Sequence, residues 1–257
     1  MAFLCHKYPY FCTMQNNDST IFGIRACIEA IQAEKTIEKI YIQKGLSGAL
    51  FSELNSLVKK NTISTSFVPV EKLDHLSKNS NHQGVVAKIS AIAFADLETI
   101  IIANKDTNPL FLLLDQVTDV RNFGAIIRTA ECTGVSAIIV PIQGSAPLNA
   151  DAIKTSAGAA FKVPICKVNH LLDAIYQLKA EDINIVSITE KTDKSIYQVD
   201  FNKPTALIMG SEHKGITPAI LKNSDNKAKL PLLGDIASLN VSVACGVALY
   251  EAVRQRL

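Results

Sequence analysis

The chain has 257 residues, 48% apolar and 19% charged, with 26 Lys and Arg against 24 Asp and Glu. That is length for one large or two modest domains, in a composition that folds rather than one that stays disordered. The formal charge of +2 leaves no global nucleic-acid footprint, so any such site must be local.

The longest apolar runs, residues 109–114 and 137–142, fall well short of the roughly 18 residues that cross a bilayer. A membrane-spanning reading is excluded on this pattern. The first dozen residues carry His6, Lys7 and Pro9 and lack an apolar run and a small-residue cleavage site, so they are not read as a secretory signal. The six cysteines, Cys5, Cys12, Cys27, Cys132, Cys166 and Cys245, form no Cys-x-x-Cys pair. They read as buried or idle thiols in a reducing cytoplasm. Cys5, His6 and Cys12 fit no ligand spacing, and no metal is expected.

Residues 1–18 are polar and aperiodic and are expected to be a disordered lead-in. Beyond them Ile24, Cys27, Ile28 and Ile31 recur at helical spacing, Ile40 and Ile42 alternate as in a strand, and Phe51, Leu54, Leu57 and Val58 form a second helical face. Residues 63–68 and 84–89 read as further strands, completing a small α/β unit over 19–90. Residues 91–106, with Phe94, Leu97 and the run Ile100 to Ile102, read as a linker helix. Residues 107–257 form the larger domain. In it, strand-like runs at 110–114, 137–140, 183–188 and 206–209 alternate with helical patterns at 122–133, 149–158 and 170–180, the signature of a buried parallel sheet with crossover helices. A last helix from about residue 241 to 256 is apolar nearly all round and is expected to be buried or to sit in a subunit interface.

No Gly-x-Gly-x-x-Gly follows the first strand of this domain, and no Walker A loop, His-Glu-x-x-His or Gly-x-Ser-x-Gly occurs. These absences remove the usual signals for dinucleotide, phosphate, zinc-hydrolase and serine-hydrolase chemistry. Three segments instead stand where strands should end, the edge at which open α/β sheets bind ligands. The first runs from Asp115 to Ala130, with Asn122 a candidate helix cap and Arg128 a turn and a half beyond it. The second, Met209-Gly210-Ser211-Glu212-His213-Lys214-Gly215, presents backbone amides and one carboxylate. In the third, Ser238-Leu239-Asn240 opens the last helix, and either polar residue would serve as a cap.

In this order Asp-x-Val-Thr-Asp-x-x-Asn-x-Gly-Ala-Ile-x-Arg-Thr-Ala, Met-Gly-Ser-Glu-x-x-Gly and Ser-Leu-Asn-Val-Ser-Val-Ala resemble the three motifs of the SpoU/TrmH family of RNA ribose 2'-O-methyltransferases. Ile21-Phe22-Gly23-Ile24 and Asn81-His82-Gln83-Gly84-Val85-Val86-Ala87 resemble the ribosomal-protein-like RNA-binding unit found in part of that family, the branch that methylates a guanosine of large-subunit ribosomal RNA. The resemblance implies an α/β SPOUT domain whose C-terminal chain is threaded into a deep trefoil knot, preceded by a smaller α/β unit. It implies S-adenosylmethionine as cofactor, RNA as partner, a homodimer and a cytoplasmic location. Carried over residue by residue, it places Gly210, Leu230, Leu239, Met209 and Ile236 at the cofactor, and Arg128, Asn122, Glu212, Ser238 and Asn240 at the catalytic centre.

The chemistry constrains these roles further. A sulfonium methyl is already electrophilic, so the enzyme must align a ribose oxygen and stabilise its developing charge. A guanidinium stays protonated, which suits Arg128 to that charge better than to general-base work. Two departures from the family pattern are Val120-Arg121 where Pro-His is common and His213 where Gly is common; neither replaces a catalytic candidate. Lys154, Lys162, Arg121 and Arg128 are candidates for a local RNA patch. Competing expectations are a transfer RNA methyltransferase, a non-catalytic ribosome-assembly factor of the same fold and, more remotely, a small-molecule methyltransferase.

Overall fold

The computed structural model of the protein describes residues 19–35, 37–89, 93–212, 214–235 and 238–257. The expected lead-in over 1–18, with Cys5, His6 and Cys12, lies outside the described residues, as do His213 and Ile236. The chain divides into two compact units.

The first unit spans residues 14–92 and 147–162. Strands β1 (Ser19–Phe22), β2 (Ile37–Gln43), β3 (Thr65–Val68) and β4 (Val85–Ile89) form a mixed sheet in the order β1-β4-β2-β3. Helices α1 (Ile24–Gln32) and α2 (Ala49–Lys60) carry the two expected apolar faces, and Cys27, Ile28, Ile31, Leu54 and Val58 are buried. A short helix, α3 (Val70–Leu76), follows β3 and was not evident in the periodicity. It buries Leu73 in a cluster with Phe22, Val68 and Val86.

The second unit is built on a six-stranded sheet. The segment read as a linker belongs to it: α4 (Leu97–Ala103) is capped by Asp96, whose carboxylate accepts from the Thr99 N–H at 2.9 Å, and it buries Leu97, Ile100 and Ile101 in the core. There follow β5 (Leu110–Asp115), α5 (Val120–Cys132), β6 (Ala137–Pro141), α6 (Ala150–Thr155), β7 (Ile165–Val168), α7 (Leu171–Ala180), β8 (Asn184–Ile188), β9 (Thr205–Gly210), α8 (Pro218–Asn223), β10 (Asn226–Ala228) and α9 (Val241–Arg256). The strands pair in parallel in the order β10-β8-β9-β5-β6-β7. Both faces of this sheet are covered, which is why β5 and β6 are buried along their whole length and read as continuous apolar runs.

Helix α6 is the exception. It is shorter than the helix read over 149–158, and residues 147–162 pack with the first unit rather than with the larger domain expected over 107–257. The reason is local packing: Ala152 and Ile153 are buried, α6 lies against β1, and a Cβ on Gly158 would collide with the Glu29 side chain of α1.

At the other end of the chain, α9 packs against α5 and is buried at Val241, Cys245, Ala248, Leu249 and Ala252. Its remaining apolar side is open, with Val243 and Tyr250 more than half exposed at 52% and 56%. The Arg256 guanidinium pins the helix terminus, donating at 2.8 Å to each of the carbonyls of Phe201, Asn108 and Lys203. Partial burial holds that guanidinium below the usual arginine range without removing its charge. Burial likewise pushes the Cys27, Cys166 and Cys245 thiols up to about 12, so all three are inert at neutral pH.

Replacing Arg256 with Ala strips three carbonyls of a charged donor and is expected to cost about 2 kcal/mol, lowering the melting temperature by roughly 4–8 °C in a thermal unfolding measurement. Arg256→Lys should recover little, because one ammonium lacks the fork that reaches separate carbonyls.

Candidate active site

The three segments singled out in the sequence end strands or begin a helix at the C-terminal edge of the six-stranded sheet. The first follows β5. Gln116 turns the chain with a left-handed φ of 58°, and Asp119 rather than Asn122 caps α5, accepting from the Asn122 N–H at 2.7 Å. This corrects the expected cap and matters for the site, because the Asn122 side chain is released from helix capping.

The second segment is a tight reversal. Gly210 ends β9 in register with Asp115, and the Gly215 N–H returns to the Ser211 carbonyl at 2.9 Å. A Cβ at Gly210 would collide with the backbone of Gly215 and Ile216, so the chain passes itself here only with a bare α-carbon. The buried Asp115 carboxylate secures the far side of the loop by accepting from the Thr217 N–H at 2.7 Å. The reversal projects Glu212 outward.

The third segment begins α9. Asn240 is its N-cap, its side-chain oxygen accepting from the Ser242 N–H at 3.0 Å and the Ser242 hydroxyl at 2.6 Å. Its amide nitrogen faces the other two segments. It donates to Glu212 Oε1 at 2.8 Å and to Asn122 Oδ1 at 3.0 Å, while Asn122 Nδ2 donates to Glu212 Oε1 at 3.0 Å. The Val241 N–H adds a bond to the same oxygen at 3.2 Å. Asn122, Glu212 and Asn240 thus form a closed triangle, with three N–H donors on one carboxylate oxygen at the positive end of a 16-residue helix.

Arg128 lies on α5 beyond Asn122, exposed and without a hydrogen bond to any described residue, so its guanidinium is available to a ligand. Ser238 is exposed at the start of the third segment and is not in the triangle. Of the cofactor candidates, Met209 is buried at the end of β9, Gly210 follows it, Leu230 is half-buried just after β10 two strands away, and Leu239 is 40% exposed beside Asn240.

The described cleft on this edge, about 560 Å³, is lined instead by residues including Asp115, Gln116, Gln143, His170, Asp173 and Thr217. Asp115 and Gln116 belong to the first motif. His170 and Asp173 were missed because β7 is only four residues long; a strand there would have marked its following loop as part of the same edge.

Comparison with known proteins identifies the family. A family model described as the SpoU rRNA methylase family matches residues 109–250, and one described as RNA 2'-O ribose methyltransferase substrate binding matches residues 20–95. The chain belongs to the SpoU rRNA methylase family. Over 245 residues it is 32% identical to a protein of Bacillus subtilis named as a putative TrmH-family tRNA/rRNA methyltransferase, covering 95% of this chain and 98% of the relative. Over 242 residues it is 36% identical to the 23S rRNA (guanosine-2'-O-)-methyltransferase RlmB of Pasteurella multocida, covering 92% and 98%. Among solved structures it resembles the SpoU methyltransferase AviRb of Streptomyces viridochromogenes in complex with the cofactor AdoMet, with a TM-score of 0.81 at 26% identity over 93% of this chain and 90% of that one. The TrmH/SpoU tRNA modifying enzyme of A. aeolicus matches with a TM-score of 0.53 and 32% identity, covering 62% of this chain and 84% of that one.

The triangle predicts energetic coupling between loops distant in sequence. In a double-mutant cycle of Asn122→Ala and Asn240→Ala followed by urea unfolding, the coupling energy should fall between about 0.5 and 3 kcal/mol. Additive losses would mean that the contact contributes nothing to stability.

Proposed function

We propose that the protein transfers a methyl group from S-adenosylmethionine to the 2'-hydroxyl of a guanosine in large-subunit ribosomal RNA. The observation that carries this reading is the Asn122–Glu212–Asn240 triangle, which joins one residue from each of the three motifs into a single site. Relatives named for this reaction align along more than nine-tenths of both chains, including the substrate-binding segment. The tRNA modifying enzyme matches only 62% of this chain, which supports ribosomal over transfer RNA.

The residues fit the cofactor. Gly210 leaves bare backbone at the strand end, and the exposed Leu239 offers an apolar surface beside the triangle. Met209, Gly210, Leu230 and Leu239, together with the sequence candidate Ile236, would hold it. When bound, it supplies an electrophilic sulfonium methyl.

Every other requirement falls on the chain. Arg128, fixed in its cationic state, stabilises negative charge growing on the ribose oxygen and orients the neighbouring phosphate. Glu212 positions the three segments through Oε1, which accepts three N–H bonds, and its second carboxylate oxygen, outside those bonds, takes the proton that the ribose hydroxyl loses as its oxygen gains the methyl group. It aligns Asn122 and Asn240 so that the α5 and α9 segments face one substrate, and Ser238 contributes a hydroxyl to the ribose.

In this reading the first unit recognises the RNA, and the second, which takes in the segment expected as a linker, is the catalytic SPOUT domain with its C-terminal chain in a trefoil knot. The open apolar side of α9, at Val243, Val247 and Tyr250, supports a homodimer, and relatives named for ribosomal RNA methylation support a cytoplasmic location.

The test is transfer of labelled methyl to ribosomal RNA from cells lacking the protein, with the modified ribose mapped. Arg128→Ala should lower the rate by 100-fold or more, a loss on the order of that seen when a single charge-stabilising donor is removed, and leave donor binding intact. Undiminished transfer by that variant would overturn the assignment, and labelling of transfer RNA alone would overturn the substrate.

A further inference from the structure

The even charge of the chain conceals an uneven distribution between its units. Residues 14–92 and 147–162 hold eleven Lys and Arg against eight Asp and Glu, while the remainder holds fifteen against sixteen. The excess positive charge therefore lies on the first unit.

Several of its cations already have structural tasks. Lys59 and Lys60 end α2, where they complement the helix carbonyls. Lys154, a sequence candidate for RNA contact, donates to the Asn81 carbonyl and lies over the Phe22 ring, 5.3 Å from its centroid. Lys35 is held over Phe161 in the same way, at 5.7 Å.

Lys39 and Lys72 differ. Lys39 leaves β2 and Lys72 leaves α3, yet both ammonium groups come to the same half-buried ring of Tyr41, at 5.5 and 5.8 Å from its centroid. The ring gives each a weak attraction. Neither lysine has a carboxylate partner among the described residues, and the nearby Asp74 of α3 is bonded to His82 at 3.1 Å. Lys88 of β4 stands opposite Lys39 in register and adds a third cation on the same face of the sheet.

We propose that the Lys39–Tyr41–Lys72 cluster is an RNA-backbone site, in which the two ammonium groups hold successive phosphates and the tyrosine fixes the spacing between them. Charge complementarity selects the occupant, a polyanion with a regular phosphate repeat. The inference rests on the methyltransferase reading above and specifies where the substrate is gripped.

The experiment compares full-length wild type with Lys39→Gln/Lys72→Gln, which keeps an unbranched polar side chain and removes both charges, and with Lys59→Gln/Lys60→Gln as a control of equal charge. Binding of a large-subunit ribosomal RNA fragment is followed across a salt series, and methyl transfer is measured on the same RNA. The Lys39/Lys72 variant should bind about tenfold more weakly at low salt, and its slope of log K against log salt should be shallower by about 1.4, the release of counterions from two single-strand phosphates. Its KM for RNA should rise about tenfold with kcat at saturating RNA unchanged, a split that misfolding would not produce. An unchanged slope and KM, or an equal loss in the control, overturns the phosphate site while active wild type leaves the methyltransferase reading standing. Wild type that transfers no methyl to the RNA overturns that reading, and the proposal with it.

Discussion

One carboxylate oxygen organises the site. Glu212 Oε1 accepts N–H bonds from Asn122, Asn240 and the backbone of Val241, and these donors come from segments 90 and 28–29 residues away in sequence. A single solvated ion pair would contribute little here. Several bonds on one oxygen, two of them from amide groups that also bond each other, restrict three loops at once. The backbone is arranged for this: the glycine crossing at Gly210 sets where Glu212 emerges, and the Asp115 bond to Thr217 closes the loop beyond it.

Division of labour among the caps makes the triangle available. Asp119 serves α5, which frees Asn122 to turn its amide outward. Asn240 does both tasks, its oxygen capping α9 and its nitrogen tying the other loops to that helix. Arg128 remains outside the network, and its guanidinium is exposed on α5. That separation suits the charge stabilisation proposed for Arg128, since a guanidinium already paired with Glu212 would have less to offer an oxyanion.

Much of this was legible in the sequence, for identifiable reasons. Strands β5, β6 and β9 are covered on both faces and therefore write nearly unbroken apolar runs, which periodicity reads readily, and β8 does the same but for Asn184 and Ser187. Asn122, Glu212 and Asn240 stood out because each follows the end of a strand or opens a helix. What escaped was short or relational. Strands β7 and β10 span four and three residues, too few to show a period, and with β7 went the cleft residues His170 and Asp173. Which of two neighbouring polar residues caps α5 depends on backbone geometry and not on composition. The pairing of Lys39 with Lys72 around Tyr41 follows from a strand and a helix meeting, and no local pattern in either segment encodes it.

The placement of residues 147–162 reaches beyond bookkeeping of domains. This stretch leaves the second unit after Ala146, buries Ala152, Ile153, Ala159 and Ala160 within the first, and rejoins the second at Val163. The polypeptide is therefore not two beads on a string that a single cut can part. Severing it near residue 106 would leave α6 without the surface it grew against and leave the first unit's sheet bare where α6 had covered it. Evolution, or an engineer, wishing to exchange one half for another would have to carry this borrowed segment along with it.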